Sequence, residues 1–279
     1  VTVNGLAPGN SVFLENNGGD FLEVSNNNSL TNFSTQVSNG LDYLITFNTQ
    51  PTSPNQVCSI AEGEETGTIN AADVNVAVTC INLFSIGVTV TGLDINNSIE
   101  LTANLQSLVF NNNGAMSFPS QLNDGTNYAV MLTAQPTDPN QECTITGGNS
   151  GNNDGSGTLA GANAQIAVNC IYIYRISGML TGLNGDQVII QNNGGDDLNL
   201  TANGDFAFST SLPEGTDYAV TVLSDPQNPA QTCTVSMGSG VNIMADVGNV
   251  EVDCVNDFYN VGVTVNGLAP GNSVFLENN

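Results

Sequence analysis

The 279-residue chain carries 26 acidic residues against a single basic one, Arg175, and has no His. A formal charge of −25 repels nucleic-acid phosphates and anionic lipid surfaces, so neither is an expected partner. Yet only 10% of residues are charged and 40% are hydrophobic, enough to build cores and too apolar for a disordered chain.

The first landmark is Gly5-Leu6, which closes the strand-like opening VTVNGL. It recurs as Gly92-Leu93, Gly182-Leu183 and Gly267-Leu268, at intervals of 87, 90 and 85 residues. Tyr43, Tyr128 and Tyr218 recur with it, as do Pro51/Pro54, Pro136/Pro139 and Pro226/Pro229, each followed by Gln56, Gln141 or Gln231. Scattered agreement of this kind marks old duplications and predicts modules over 1–84, 85–174 and 175–259.

In the first module, Glu62, Glu64 and Glu65 read as a solvated hairpin tip, and Cys58 and Cys80 form its cysteine pair. From Cys80 the chain runs INLFSIGVTVTGL, without Pro or a flexible Ser/Gly spacer, so strand is expected to lead into strand with Phe84 at the junction. The second module holds Cys143/Cys170 and an oxygen-rich loop, Asn149–Gly157. That loop lacks the regular acidic spacing and distal Glu of a calcium loop and reads as a surface loop. Its exit, IYIYRISGMLTGL, puts Tyr172 and Tyr174 at the next junction.

The third module is the clearest. GDQVIIQ, DDLNLT, DFAFSTSL, DYAVTVLS, TCTVSMG and VGNVEVDC read as strands, separated by the turns NNGG, ANG and PEGT. DPQNP cannot continue a ladder, because its prolines remove donors. Turn signals every 8–12 residues and no sustained helical period predict an all-β fold. The expected form is a tandem array of three Ig-like β-sandwiches with strand-to-strand junctions. After Cys233/Cys254 comes a third junction with Phe258 and Tyr259. Residues 263–279 then copy residues 1–17 letter for letter, so 260–279 is expected to supply the first strands of a further module in a periodic fibre.

The six cysteines allow fifteen pairings, and the repeat favours one bridge inside each module. Zinc is disfavoured by the absence of His and of Cys-x-x-Cys spacing. No cofactor is implied, and divalent cations are candidates only for weak binding to the acidic surface. Catalysis lacks parts: without His or Lys, a Ser or Cys nucleophile has no base. Asp196, Asp197 and Asp205 could in principle pair for glycoside cleavage, but they fall at turns, where solvated acids are commoner. Asn27, Asn32, Asn96 and Asn199 head Asn-x-Ser/Thr triplets of the kind an Asn-rich chain produces by composition.

DGTNYAV and EGTDYAV, each preceded by a strand of the Met116-Ser117-Phe118 or Phe206-Ala207-Phe208 type, resemble the core of CNA-B or prealbumin-like bacterial surface modules. The longer pattern NNGG, ANGDFAF, GTDYAVTV, Gln-x-Cys and NVEVDC resembles tandem Ig-like repeats of secreted bacterial proteins. The resemblance implies an extracellular or cell-surface location. The Lys–Asn isopeptide crosslinks common in CNA-B modules are chemically excluded here, because there is no Lys. The expected function is structural: a stiff, protease-resistant fibre, filament or stalk in a biofilm matrix or on a cell surface, self-associating and without catalysis. The alternative is an adhesin whose repeats bind a glycan or surface ligand.

Overall fold

In Val12–Asn16 buried side chains (Val12, Leu14, Asn16) alternate with half-buried ones (Phe13, Glu15), as the alternate side chains of a strand point to opposite faces. In the computed structural model, which describes residues 1–278, Val12 and Leu14 accordingly face a core. The first set of strands is β1 (Thr2–Asn4), β2 (Val12–Asn16), β3 (Asp20–Val24), β4 (Asp42–Thr49), β5 (Gln56–Ile60), β6 (Thr66–Thr68) and β7 (Ala77–Phe84). One sheet runs β3-β2-β4-β6, antiparallel throughout. In the other, β7 lies between β1, its parallel neighbour, and β5, its antiparallel one. Val3 and Val78 from this sheet and Leu14 and Ile45 from the first share one buried cluster, which makes the pair a sandwich.

The second set is β8 (Ile86–Thr91), β9 (Ile99–Ala103), β10 (Gln106–Phe110), β11 (Gly114–Ser117), β12 (Leu122–Asn123), β13 (Asn127–Ala129), β14 (Met131–Ala134), β15 (Gln141–Gly147), β16 (Ser156–Thr158) and β17 (Ala164–Tyr174). One sheet runs β11-β8-β17-β15, a second β10-β9-β14, and β13 pairs with β16. Again the first and last long strands, β8 and β17, are parallel neighbours. Their inward residues, Val88 and Val168 among them, join Leu101 and Phe110 in a second core.

The third set is β18 (Ile176–Thr181), β19 (Val188–Asn192), β20 (Asp196–Leu200), β21 (Gly204–Ala207), β22 (Leu212–Pro213), β23 (Tyr218–Ser224), β24 (Gln231–Ser236), β25 (Ser239–Gly240) and β26 (Val247–Asn256). Two four-stranded sheets result, β21-β18-β26-β24 and β20-β19-β23-β25. The third core lies between them, with Phe206 and Phe208 edge to face at 6.1 Å. The stretch expected as one strand from Asp205 to Leu212 is divided into β21 and β22, because only its two ends find ladder partners.

The chain divides into two compact units, Val1–Tyr172, which holds the first two cores, and the residues from Ile173 onward, which hold the third. The described residues contain no helix. Beyond Asn256 none of them forms a strand, in contrast to the strands expected after residue 260. Residues 263–278 have the letters of β1 and β2 but no neighbouring strands to pair with.

Candidate assembly surfaces

The recurrent landmarks meet at one end of each core. Gly5, Gly92 and Gly182 have φ of +76°, +75° and +74°, and a Cβ on each would lie 2.3, 2.0 and 2.0 Å from the carbonyl oxygen of Cys80, Cys170 and Cys254. Glycine is thus required twice, by conformation and by space. Gln56, Gln141 and Gln231 are buried beside them. Their Nε2 groups donate to the carbonyls of Gly5, Gly92 and Gly182 at 2.8, 2.7 and 2.9 Å. Their Oε1 atoms accept from the amides of Ala7, Asp94 and Asn184, each at 2.9 Å. In the first two cores Asn10 and Asn97 add a donor to the same Gln oxygen and another to the carbonyl of Pro54 or Pro139. The Gln after each proline pair therefore ties the first loop to the proline turn. The sequence shows its recurrence but not this role, which depends on contacts more than forty residues apart.

Cys58 stands opposite Cys80, Cys143 opposite Cys170 and Cys233 opposite Cys254, each pair joined by a disulfide across adjacent antiparallel strands. All six sulfurs are buried with the cores. Each bridge therefore fastens the last long strand of its set to the neighbouring edge strand.

The strand β7 serves two ladders. Through Ala77–Asn82 it pairs with β1 and β5, and through Leu83 and Phe84 it pairs with β12. Phe84 packs against the second core. Side chains and backbone close the same seam: Asn55 Nδ2 donates to Gln121 Oε1 at 2.7 Å, and the Asp124 amide donates to the Asn82 carbonyl at 2.8 Å. Only Ser85 separates β7 from β8. Tyr174 pairs with Leu212 and packs against the third core. Burial, with Glu214 and Asp246 nearby, pushes its hydroxyl pKa up. Tyr172 instead serves the second core, its hydroxyl donating to Asp94 Oδ2 at 2.6 Å. Phe258 and Tyr259 stand exposed, and no core covers them. The partners of the junction aromatics, Leu122 and Leu212, escaped sequence reasoning. Their signal was present: each is a Leu six residues before a recurrent Tyr.

The oxygen-rich loop closes on itself. Asp154 Oδ1 accepts from Ser156 Oγ, Ser156 N and Ser150 Oγ at 2.6, 3.0 and 3.0 Å, which holds its pKa below the usual carboxylate value. Beside it lies an open cavity of about 470 Å³ lined by Tyr128, Asn149, Ser156 and Thr158. Glu64 is used locally too, accepting the Ala77 amide at 2.7 Å. Asp196 accepts the Thr210 amide at 3.3 Å. Among the described residues no group of three or more metal-ligating side chains forms. Asn27 holds the backbone of Leu6, as Asn113 and Asn203 hold Leu93 and Leu183.

No known protein-family pattern and no curated protein matches the chain. Solved structures that it resembles include the pilus adhesin SpaC of Lactobacillus rhamnosus GG in its open conformation (TM-score 0.29, 10% identity, 94% of this chain covered) and the Bacillus anthracis TIE protein (TM-score 0.27, 11% identity, 90% covered). The chain spans 43% of the first and 50% of the second.

Proposed function

We propose that this chain is a structural repeat protein of the extracellular space, with modules 1–84, 85–174 and 175–259 joined as a stiff, protease-resistant fibre or stalk. It works mechanically, by spanning distance, and without catalysis. The observation that carries the reading is the double pairing of β7, which lets one uninterrupted strand belong to two neighbouring cores through Phe84. A flexible linker would not supply such a seam. Three buried disulfides and a surface almost free of Lys and Arg support an oxidising, protease-exposed setting such as a cell surface or biofilm matrix. Electron microscopy of the purified chain tests the proposal. Rods about 100 Å long are expected, from strands of about eight residues at ~3.3 Å rise in each of three modules plus their junctions. Freely jointed beads would overturn it.

The cavity beside Tyr128 favours a second reading, an adhesin module. Its lining of hydroxyls and amides suits the hydroxyl-rich face of a glycan. Binding on a glycan array, lost on Asn149→Ala, would promote this reading over a purely mechanical one.

A further inference from the structure

Within residues 1–256 seven asparagines precede a glycine: Asn4, Asn17, Asn39, Asn113, Asn184, Asn193 and Asn203. Such a pair is reactive, because glycine has no side chain to keep its amide nitrogen away from the asparagine side-chain carbon. The fold restrains six of the seven. Asn113 and Asn203 grip the backbone of Leu93 and Leu183 with both ends of the side-chain amide. Asn17 donates to the Asp42 carbonyl at 3.1 Å and accepts the Leu44 amide at 2.9 Å, and Asn193 donates to the Asp217 carbonyl at 3.0 Å. Asn39 accepts the Ala71 amide at 2.7 Å, and the amide of Gly40 is itself engaged with the Ile69 carbonyl. Asn4 lies in β1, where pairing with Thr79 keeps its backbone extended. Asn184 differs. It is exposed in the loop between β18 and β19, and among the described residues neither its side chain nor the Gly185 amide makes a hydrogen bond.

We propose that Asn184–Gly185 is a self-modification site, through which the third core ages and becomes open to proteolysis. The Gly185 amide nitrogen attacks Asn184 Cγ. A new C–N bond forms, the Cγ–Nδ2 bond breaks, and Nδ2 leaves as ammonia with the proton of the Gly185 amide. Water then opens the cyclic imide at either carbonyl, giving aspartate or isoaspartate. Both products add a negative charge, and isoaspartate also inserts a methylene into the main chain. The fold has no room for that insertion. The Asn184 amide donates to Gln231 Oε1 at 2.9 Å as part of the Gln clamp. Gly185 passes so close to the proline turn that a Cβ would lie 2.4 Å from the Asn228 carbonyl oxygen and 2.5 Å from Pro229 Cδ. Leu183, one residue back, is buried in the third core with Ile176, the residue after the sole Arg. The isoaspartyl form therefore loosens the Gln231 clamp and makes the Arg175–Ile176 peptide easier for a protease to draw out. The proposal does not rest on the fibre reading, since the reaction needs only the folded third core and water.

Incubation of the full, oxidised chain in mildly alkaline heavy-oxygen water tests it, followed by peptide mapping by mass spectrometry. Only sites opened by water during the incubation carry the label. A restrained asparagine must first break the bonds that hold it, so label at Asn184 is expected to exceed that at each of the other six by about tenfold. Trypsin is expected to cut the aged chain after Arg175 about fivefold faster than the fresh chain. Asn184→Gln, whose longer side chain closes a ring far more slowly, is expected to abolish that gain. Label at Asn184 no greater than at the restrained six overturns the proposal. So does a rate of cutting that ageing leaves unchanged, or that rises equally in Asn184→Gln.

Discussion

A methyl group on Gly92 would sit 2.0 Å from the carbonyl oxygen of Cys170, on a backbone at φ +75°. The left-handed conformation costs a non-Gly residue about 1–2 kcal/mol, and overpacking adds about 1–3. Gly92→Ala is therefore expected to destabilise the second core by roughly 3 kcal/mol in chemical denaturation. A loss below about 1 kcal/mol would mean that the Cys170 backbone moves aside freely. The reverse change is available a few residues on. Asn104 and Leu105 turn the hairpin between β9 and β10 with φ of +48° and +64°, and Leu105 is fully exposed. The equivalent hairpins use Asn17-Gly18 and Asn193-Gly194, the pairing that two left-handed residues demand. Leu105→Gly relieves backbone strain and exposes no core, at the expense of a more disordered unfolded chain. A net gain of about 0.5–1 kcal/mol is expected, read as a higher denaturation midpoint.

At the scale of the element, β7 and β17 concentrate most of the consequences. Truncating Phe84 removes a half-buried ring from the seam and leaves the β7 ladder with β1 and β5 intact. Phe84→Ala is expected to cost about 2 kcal/mol, below the full-burial range, and to split one cooperative calorimetric transition of the 1–172 unit into two. A single unsplit transition would show that the seam contributes no coupling. The strand β17 carries a pH dependence through Tyr172. Its hydroxyl, then the Asn96 amide, holds the Asp94 carboxyl below its usual pKa. A folded-state value that is depressed contributes stability at pH above the unfolded value, about 4, and the contribution is lost as pH falls through the folded value. Tyr172→Phe should raise the Asp94 pKa in an NMR titration and leave stability less steeply dependent on pH in the acid range. An unchanged titration would show that the Tyr172 hydrogen bond is not maintained in solution. These strands were readable as strands from their alternation, but their pairings were not. Nothing in INLF states that Phe84 lies opposite Leu122, because register depends on residues far along the chain.

For the whole molecule, the two copies of VTVNGLAPGNSVFLENN separate what sequence encodes locally from what it leaves to context. The Ala7–Asn10 turn is present in both copies, and the strands form only where residues 18–84 are at hand. The same division runs through the rest of the chain. Turns, most strand positions and the all-β class were legible; the Gln clamps were not, since each joins distant segments. The protease resistance proposed above rests, by contrast, on the fold of the whole chain. Arg175 is the sole site for a trypsin-like protease, and it is exposed. The peptide following it is nevertheless fixed: the Arg175 amide donates to Asp246, its carbonyl accepts from Val247 at 2.9 Å, and Ile176 is fully buried. A protease must pull this stretch out of the sheet, so cleavage tracks the stability of the third core. The disulfide Cys233–Cys254, closing 21 residues, contributes roughly 3 kcal/mol to that stability in the chain-entropy model. Trypsin is therefore expected to leave the oxidised chain intact for hours. After reduction it should cut the chain once, into residues 1–175 and 176–279, faster by about two orders of magnitude if opening limits cleavage. Rapid cutting of the oxidised chain would place Arg175 in a mobile segment and remove the protease argument for an extracellular material.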